Sequence, residues 1–259
     1  MAKWDIKDGF WCLDCEEGEE WNFAYILPDH SGPSTTLAVP NSLQMGWIKP
    51  PPYFCATTEL GQDIAEQYIE TPLGSHPEHM FIDHTRGSTA YTALETSPSR
   101  CGSALRYLAK VYVDDYIGLV IPTTRAQLDH VANGVMCTIH DIFPWDEEDP
   151  ISLKKLLYRD DAWDVPKDIL GFMFNGDQKT MWLAEGKQDT LIATLKGWLC
   201  ATTKNKTYGI PFPDFWLVIY KVHHAFTAIP AGKSLVSLFY TVWGKQPRVV
   251  FIHRNKALR

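Results

Sequence analysis

The sequence of 259 residues lacks any long uninterrupted apolar run. Because a helix needs roughly 20 apolar residues to cross a bilayer, no membrane-spanning segment and no membrane partner are predicted. The first residues also lack the apolar stretch of a secretion signal. The six cysteines have no regular spacing, which favours reduced thiols over a disulfide framework. We therefore expect an intracellular protein of the cytoplasm or nucleus.

The chain also lacks a surplus of positive charge, since its formal net charge is −7. The deficit is confined to one half. Residues 1–150 carry 8 basic and 23 acidic residues, whereas residues 151–259 carry 16 basic and 8 acidic ones. An acidic half suits a site for metal cations, and a basic half suits contact with a phosphate backbone. A basic surface that is merely solvated is the alternative.

The most informative local pattern is a pair of adjacent aspartates between two β-like runs. Tyr112, Val113, Asp114 and Asp115 separate an alternating run at residues 106–111 from an apolar run at residues 116–121. Two strands joined by a tight turn would place both carboxylates at the tip of a hairpin. Because adjacent carboxylates repel each other, such a site needs cations, and two divalent metals with phosphoryl transfer would explain it. The alternative is an acidic turn that faces water.

Periodicity predicts an α+β fold, with helices on one face of an antiparallel sheet. Two strands joined by an acidic turn are predicted at residues 1–13 and 21–27, followed by the aspartate hairpin. A second hairpin is predicted at residues 168–183, around Asn175 and Gly176. Helices are predicted at residues 57–70, 128–139, 187–200, 213–226 and 233–243. Residues 71–101 are rich in Pro, Gly, Ser and Thr and are interpreted as a long loop or insertion.

Three segments, in a fixed order, resemble motifs in the palm of retrotransposon reverse transcriptases. The first comprises Asp5, Asp8, Gly9 and Phe10. The second matches at Leu43, Gly46, Trp47, Pro51 and Phe54, and departs at Gln44, where the family usually has Pro. The third is the aspartate hairpin at residues 112–115. Each motif is weak by itself, but the three in this order are specific, and residues 4–239 as a whole resemble retrotransposon Pol.

The resemblance implies an RNA-directed DNA polymerase that uses two Mg²⁺ ions, or Mn²⁺, to join a deoxynucleoside triphosphate to a primer 3′-hydroxyl. It implies that Asp5 and Asp114 are bridging metal ligands and that Asp115 is the supporting acid. The implied nucleotide-binding residues are Asp8, Gly9, Phe10, Met45, Gly46, Trp47 and Tyr112. Leu170 and Gly171 would form the primer grip, and Lys154 or Lys155 would be the proton donor. The implied partners are an RNA or DNA template–primer duplex and the nucleotide.

By the same resemblance, residues 1–183 are the palm with its primer-grip hairpin, and residues 184–259 are a mostly helical thumb or connection. The family's fingers precede the first aspartate, which is here the fifth residue, so we expect little or no polymerase activity from this chain alone. Three alternatives stay open: a non-catalytic nucleic-acid-binding remnant, a structural or interaction fragment, and an unrelated metal-dependent nuclease. A core aromatic residue is the alternative for Phe10, and a simple packing hairpin is the alternative for Leu170 and Gly171.

Overall fold

The computed structural model describes residues 1–27, 35–45, 50–86, 89–96, 104–143, 149–184, 186–229 and 231–254. The chain divides into two compact units, Met1–Lys167 and Asp168–Arg259. The sequence predicts a boundary after residue 183, whereas the contacts between residues in the structure divide the chain after Lys167. The hairpin at residues 168–183 therefore belongs to the second unit. Both units mix helices with antiparallel strands, in agreement with the predicted α+β class.

The first unit is built on a three-stranded antiparallel sheet. The strands of the whole unit are β1 (Ala2–Asp5), β2 (Tyr25–Leu27), β3 (Thr36–Ala38), β4 (Arg106–Tyr112) and β5 (Asp115–Ile121). Its helices are α1 (Pro50–Glu70), α2 (Ile82–Thr85), α3 (Thr89–Thr96), α4 (Arg125–Ile142) and α5 (Leu153–Leu157). The sheet has the order β1–β5–β4, and β2 pairs with β3 in a separate hairpin. The predicted pair of strands at residues 1–13 and 21–27 is therefore wrong, because β1 pairs with β5 instead.

Helix α1 begins seven residues before the predicted start because its first turn tolerates proline. Pro50 to Pro52 occupy positions whose backbone N–H groups have no partner inside a helix, so the missing donors cost nothing there. The buried positions Phe54, Thr58, Gly61, Ala65 and Ile69 then recur every three or four residues. This spacing places them on one face of α1, which packs on α4 and on the sheet.

One face of the sheet forms the core of the first unit. Trp4 of β1 is directly opposite Tyr116 of β5, and both side chains are buried. The Tyr116 hydroxyl donates a hydrogen bond to the Thr58 carbonyl of α1, 3.0 Å away. The apolar stripe predicted at residues 128–139 of α4 is buried as expected, at Leu128, Val131, Ala132, Val135, Met136 and Ile139. Helices α1 and α4 therefore cover this face of the sheet, and the opposite face is available for contacts with other groups.

Residues 71–101 are not the unstructured loop that their composition predicted. They contain α2 and α3, whose residues Ile82 and Tyr91 are buried in the core. Residues 87, 88 and 97–101 lie outside the described part of this segment. Short helices of four and eight residues span too few turns to show a clear apolar period. The composition of the segment therefore predicts a loop where the structure has two helices.

The second unit joins a small sheet to three helices. Strands β6 (Lys167–Ile169), β7 (Phe172–Asn175) and β8 (Thr180–Leu183) form the sheet, and β9 (Ile210–Pro211) pairs with β10 (Val249–Val250). The helices are α6 (Lys187–Lys204), α7 (Phe212–Ala225) and α8 (Gly232–Trp243), close to their predicted positions. Asn175 pairs with Thr180, so the predicted hairpin exists but its loop has four residues rather than two.

Gly118→Ala is expected to destabilise the first unit by about 1–3 kcal/mol, the usual cost of overpacking a core. A Cβ atom at Gly118 would lie 2.9 Å from the Trp4 ring and 3.1 Å from the Trp163 ring, and both rings are buried. The matched control is Gly197→Ala in α6, where a Cβ atom meets nothing within 4 Å and helix propensity improves. Chemical denaturation of both variants tests this, and an unchanged Gly118→Ala midpoint would contradict the packing.

Candidate active site

The structure brings together the three aspartates that the sequence singled out. Asp5, the last residue of β1, is the cross-strand partner of Asp115, the first residue of β5. Asp114 lies in the turn between β4 and β5, and its carbonyl accepts a hydrogen bond from the Ile6 N–H at 3.1 Å. Two separate stretches of chain therefore meet at one end of the sheet with all three acids.

The hairpin that carries Asp114 has an unusually tight turn. Tyr112 pairs with Asp115, which leaves only Val113 and Asp114 in the loop. Val113 has a φ of 58°, a left-handed conformation that is unfavourable for a β-branched residue. Two-residue hairpin loops with a positive φ at their first residue match the right-handed twist of the strands. The hairpin therefore holds Asp114 at its tip despite the unfavourable backbone conformation of Val113.

The electrostatics of the cluster are those of crowded, partly buried carboxylates. Burial raises the pKa of Asp115 to about 6; the ammonium of Lys3 opposes this shift, and the carboxylates of Asp114 and Asp5 add to it. Burial also raises the pKa of Asp114, and the charge of Asp5 adds to that rise. Among the residues that the structure describes, buried Asp115 Oδ1 has no hydrogen-bond partner. The site therefore has more negative charge than its own hydrogen bonds satisfy.

Two lysines supply the cationic groups at this site. Lys155 of α5 donates a hydrogen bond from Nζ to Asp5 Oδ1. Burial lowers the pKa of Lys155, but this hydrogen bond and the negative charge of Asp5 outweigh burial and raise it. Lys3 Nζ lies 4.0 Å from Asp115 Oδ1 and 3.4 Å from Asp160 Oδ2. Of the two proton-donor candidates, the structure thus brings Lys155 to the carboxylates, whereas Lys154 is exposed.

Sequence reasoning missed Lys3, although a signal for it exists. Lys3 and Asp5 are two residues apart on β1, so strand alternation places their side chains on the same face of the sheet. Once Asp5 is a candidate, Lys3 follows as its neighbour on that face. The opposite face of β1, with Ala2 and Trp4, belongs to the core.

The residues fit a divalent cation in donor chemistry. Three carboxylates supply the hard oxygen ligands that Mg²⁺ prefers, and Asp115 Oδ1, which pairs with Lys3 Nζ only at 4.0 Å and has no hydrogen bond among the described residues, would be one of them. As the side chains are placed, however, no group of three or more His, Cys, Asp and Glu residues converges into a metal site within the described ranges. Metal binding therefore requires the Lys155 ammonium to leave Asp5 and the carboxylates to turn inward.

The predicted nucleotide-binding residues are exposed, lie outside the described ranges, or are packed in the core. Asp8 is exposed and, with Lys7, Trp11, Cys12, Asp149 and Pro150, lines a cavity of about 550 Å³. Tyr112 is 59% exposed beside Asp115, and Met45 is 67% exposed. Gly46 and Trp47 lie outside the described residues.

Phe10 and Gly9 are packed in the core. The Phe10 ring stacks on Phe54, with 4.4 Å between ring centroids, and only 8% of the residue is exposed. A Cβ atom at Gly9 would lie 2.5 Å from the Phe54 ring. This packing agrees with the alternative interpretation of Phe10 as a core aromatic residue. Gly9 permits a close approach, but the group that approaches is the Phe54 ring.

Leu170 and Gly171 form the turn between β6 and β7, in the second unit. Both have positive φ, 53° and 83°, and the Gly171 N–H donates to Asp168 Oδ1 at 3.2 Å. The Gly171 carbonyl accepts a hydrogen bond from the Ala184 N–H, 3.2 Å away. Two hydrogen bonds therefore tie the turn to the β6–β8 sheet, and its assignment as a primer grip stays a prediction.

No protein-family model and no curated protein sequence matches this chain. Across the described residues, no helix is both long and apolar enough to cross a membrane. The resemblance to reverse transcriptases therefore depends on the sequence motifs alone.

Proposed function

We propose that this chain is the palm region of a retrotransposon reverse transcriptase, and that its aspartate cluster binds Mg²⁺ for nucleotidyl transfer. The observation that carries the proposal is the cross-strand pairing of Asp5 with Asp115, which brings a distant aspartate to the tip of the hairpin that holds Asp114. Three acids gathered from two stretches of chain, with raised carboxyl pKa values at Asp114 and Asp115, are characteristic of a functional cluster rather than a solvated turn.

The acids and Lys155 have distinct roles in this proposal. Asp5 and Asp114 would bridge the metals, and Asp115 would support them. When bound, two Mg²⁺ ions would activate the primer 3′-hydroxyl and neutralise the departing pyrophosphate. Lys155 holds a proton at Nζ beside Asp5, so it can donate that proton to pyrophosphate once it has left the carboxylate.

The cavity beside Asp8 supports a nucleotide as the ligand. Its volume of about 550 Å³ lies within the usual range of about 300–1,000 Å³ for small-molecule sites. It borders Asp8, three residues after Asp5 in the chain, but its described lining includes none of the three aspartates, so the proposal requires a triphosphate that extends from the cavity towards them.

The first test combines metal binding with primer extension by the full chain. Mg²⁺ is expected to raise the melting temperature of the wild type but not that of Asp114→Asn. Asp141→Asn is the matched control, because Asp141 of α4 accepts a hydrogen bond from the Tyr68 hydroxyl of α1 and takes no part in the cluster. Extension of a primer on an RNA template, dependent on Asp114, would support the polymerase. No Mg²⁺ effect, or Mg²⁺-dependent cutting of the nucleic acid, would overturn it.

A non-catalytic nucleic-acid-binding remnant is the second candidate. It is favoured by the charge of the second unit, residues 168–259, which has 12 basic and 5 acidic residues. Binding through phosphates weakens steeply as salt rises, because counterions are released. Salt-sensitive binding of a template–primer without extension and without any effect of Mg²⁺ would favour this candidate over the polymerase.

A further inference from the structure

A chain of hydrogen bonds connects two histidines to a buried aspartate in the first unit. His79 Nε2 lies 2.9 Å from His140 Nδ1, and His140 Nε2 lies 3.1 Å from Asp149 Oδ1. His79 and Asp149 are buried, at 8% and 7% exposure. The three residues come from the segment before α2, the last turn of α4, and the segment before α5. The chain therefore ties together three separate parts of the unit.

The direction of the hydrogen bonds follows from one backbone contact. The Phe81 N–H donates to His79 Nδ1 at 3.2 Å, so Nδ1 carries no proton and the proton of His79 is on Nε2. His79 Nε2–H then donates to His140 Nδ1, which leaves the proton of His140 on Nε2, facing Asp149. Burial, together with the nearby His140, lowers the pKa of His79 to about 4, so the ring is neutral at physiological pH.

Both ends of the chain are fixed by further hydrogen bonds. The His79 N–H donates to Asn133 Oδ1 on α4 at 2.6 Å. Asp149 Oδ1 also accepts the Ile151 N–H at 2.8 Å, whereas Asp149 Oδ2 is buried and has no hydrogen-bond partner within the described part of the chain. A half-satisfied buried carboxylate costs stability.

That segment is the one that holds Asp5 in place. The Lys7 N–H donates to the Pro150 carbonyl at 2.7 Å, and the Ser152 N–H donates to the Asp5 carbonyl at 3.0 Å. Ile6 and Ile151 form an antiparallel bridge between these bonds. Immediately after Ser152, α5 carries Lys155 to the Asp5 carboxylate. Residues 149–152 therefore act as a short strand that fixes both Asp5 and its lysine.

We infer that His79, His140 and Asp149 are positioning residues for the aspartate cluster: they fix the segment at residues 149–152 against β1 and thereby set the placement of Asp5 and Lys155. The inference rests on the proposed function for the cation at the cluster, but the placement of the segment can be tested without any metal. Outer-shell groups of this kind typically change metal affinity about 10–100-fold when they are removed.

The experiment compares Asp149→Asn and His140→Gln with controls on α4. Asp141→Asn repeats the loss of charge one residue from His140. His130→Gln repeats the loss of a ring, because His130 bonds only the Ile69 carbonyl among the contacts described for it. Amide hydrogen exchange reports on the segment, through the Lys7 and Ser152 N–H groups, and Mn²⁺ titration by electron paramagnetic resonance reports on the cluster.

Both test variants are expected to exchange the Lys7 and Ser152 amides about tenfold faster, because each removes a hydrogen bond to the Asp149 carboxylate that fixes the segment. They are also expected to bind Mn²⁺ about tenfold more weakly, whereas the controls match the wild type. Nitrogen chemical shifts should show the proton on Nε2 of both His79 and His140 in the wild type.

Each other outcome overturns a defined part of the inference. Unchanged exchange in Asp149→Asn would show that the chain does not fix the segment. Faster exchange with unchanged Mn²⁺ affinity would show that the chain stabilises the fold without positioning the cluster. A wild type that binds no Mn²⁺ would refute the proposed function, and exchange at Ser152, whose N–H bonds Asp5, would then decide the placement of the segment alone.

Discussion

Asp161→Asn is expected to stabilise the first unit by about 3 kcal/mol at about pH 7.5 and to change it little near pH 4. Asp161 has no exposed surface, and among the described residues neither carboxylate oxygen has a hydrogen-bond partner. Burial raises its pKa to about 6, opposed by its own backbone N–H and by the more distant charges of His84 and Lys167.

The sign of the pH dependence follows from that raised pKa. Below the unfolded pKa of about 3.9, both states hold the proton and Asp161 carries no ionisation penalty. As the pH rises to about 6, the unfolded chain ionises first, so the folded state loses stability. Above that pH the penalty is constant, and asparagine removes it.

Denaturation of the wild type and the variant at both pH values tests this prediction. Asp160→Asn is the neighbouring control. Asp160 pairs with Lys3 at 3.4 Å, so its loss should slightly destabilise the protein instead. An Asp161→Asn variant that is less stable than the wild type at neutral pH would show that the carboxylate has a partner in solution.

Asp115→Asn is expected to stabilise the metal-free protein by about 3 kcal/mol near pH 7.5, since its pKa is raised to about 6 and each pKa unit corresponds to about 1.4 kcal/mol. Burial is the main cost of ionising this carboxylate, and the repulsion of Asp114 and Asp5, which the two lysines only partly offset, adds to it. In excess Mg²⁺ the order of stability should reverse, because the wild type gains a bound cation and the variant loses a ligand.

Thermal melts with and without Mg²⁺ measure both parts of this prediction. Asp161→Asn serves as the internal control for this prediction. Asp161 lies outside the aspartate cluster, so the stabilisation that this substitution gives should not depend on Mg²⁺. An Asp115→Asn variant that Mg²⁺ stabilises as much as the wild type would contradict the assignment of Asp115 to a metal site.

The elements that the sequence predicted well are those fixed by local pattern. Helix α4 has a complete apolar stripe, and the hairpin at residues 106–121 has an acidic two-residue loop between two β-like runs. The second unit's helices were found for the same reason. Helix α1 was predicted too short because prolines normally stop a helix, although they are tolerated in its first turn.

The rest of the site depends on contacts between distant parts of the chain. The resemblance singled out Asp5, but its pairing with Asp115 is a matter of strand register that no local pattern reveals. The choice of Lys155 over Lys154 depends on where α5 sits relative to β1. A phenylalanine at position 10 looks the same in the sequence whether it faces a ligand or the core. Only the packing of Phe10 on Phe54 in the structure distinguishes the two roles.

The pairing of Asp5 with Asp115 also dictates an order of events during synthesis. The hairpin of β4 and β5 closes over two residues, so it can form within microseconds of its emergence from the ribosome. Strand β1 has been made long before, but it has no partner until β5 appears, and closing so long a loop carries a large entropic cost. The growing chain therefore completes its two-aspartate tip first, and the three-aspartate cluster forms only after nearly half of the chain has been translated.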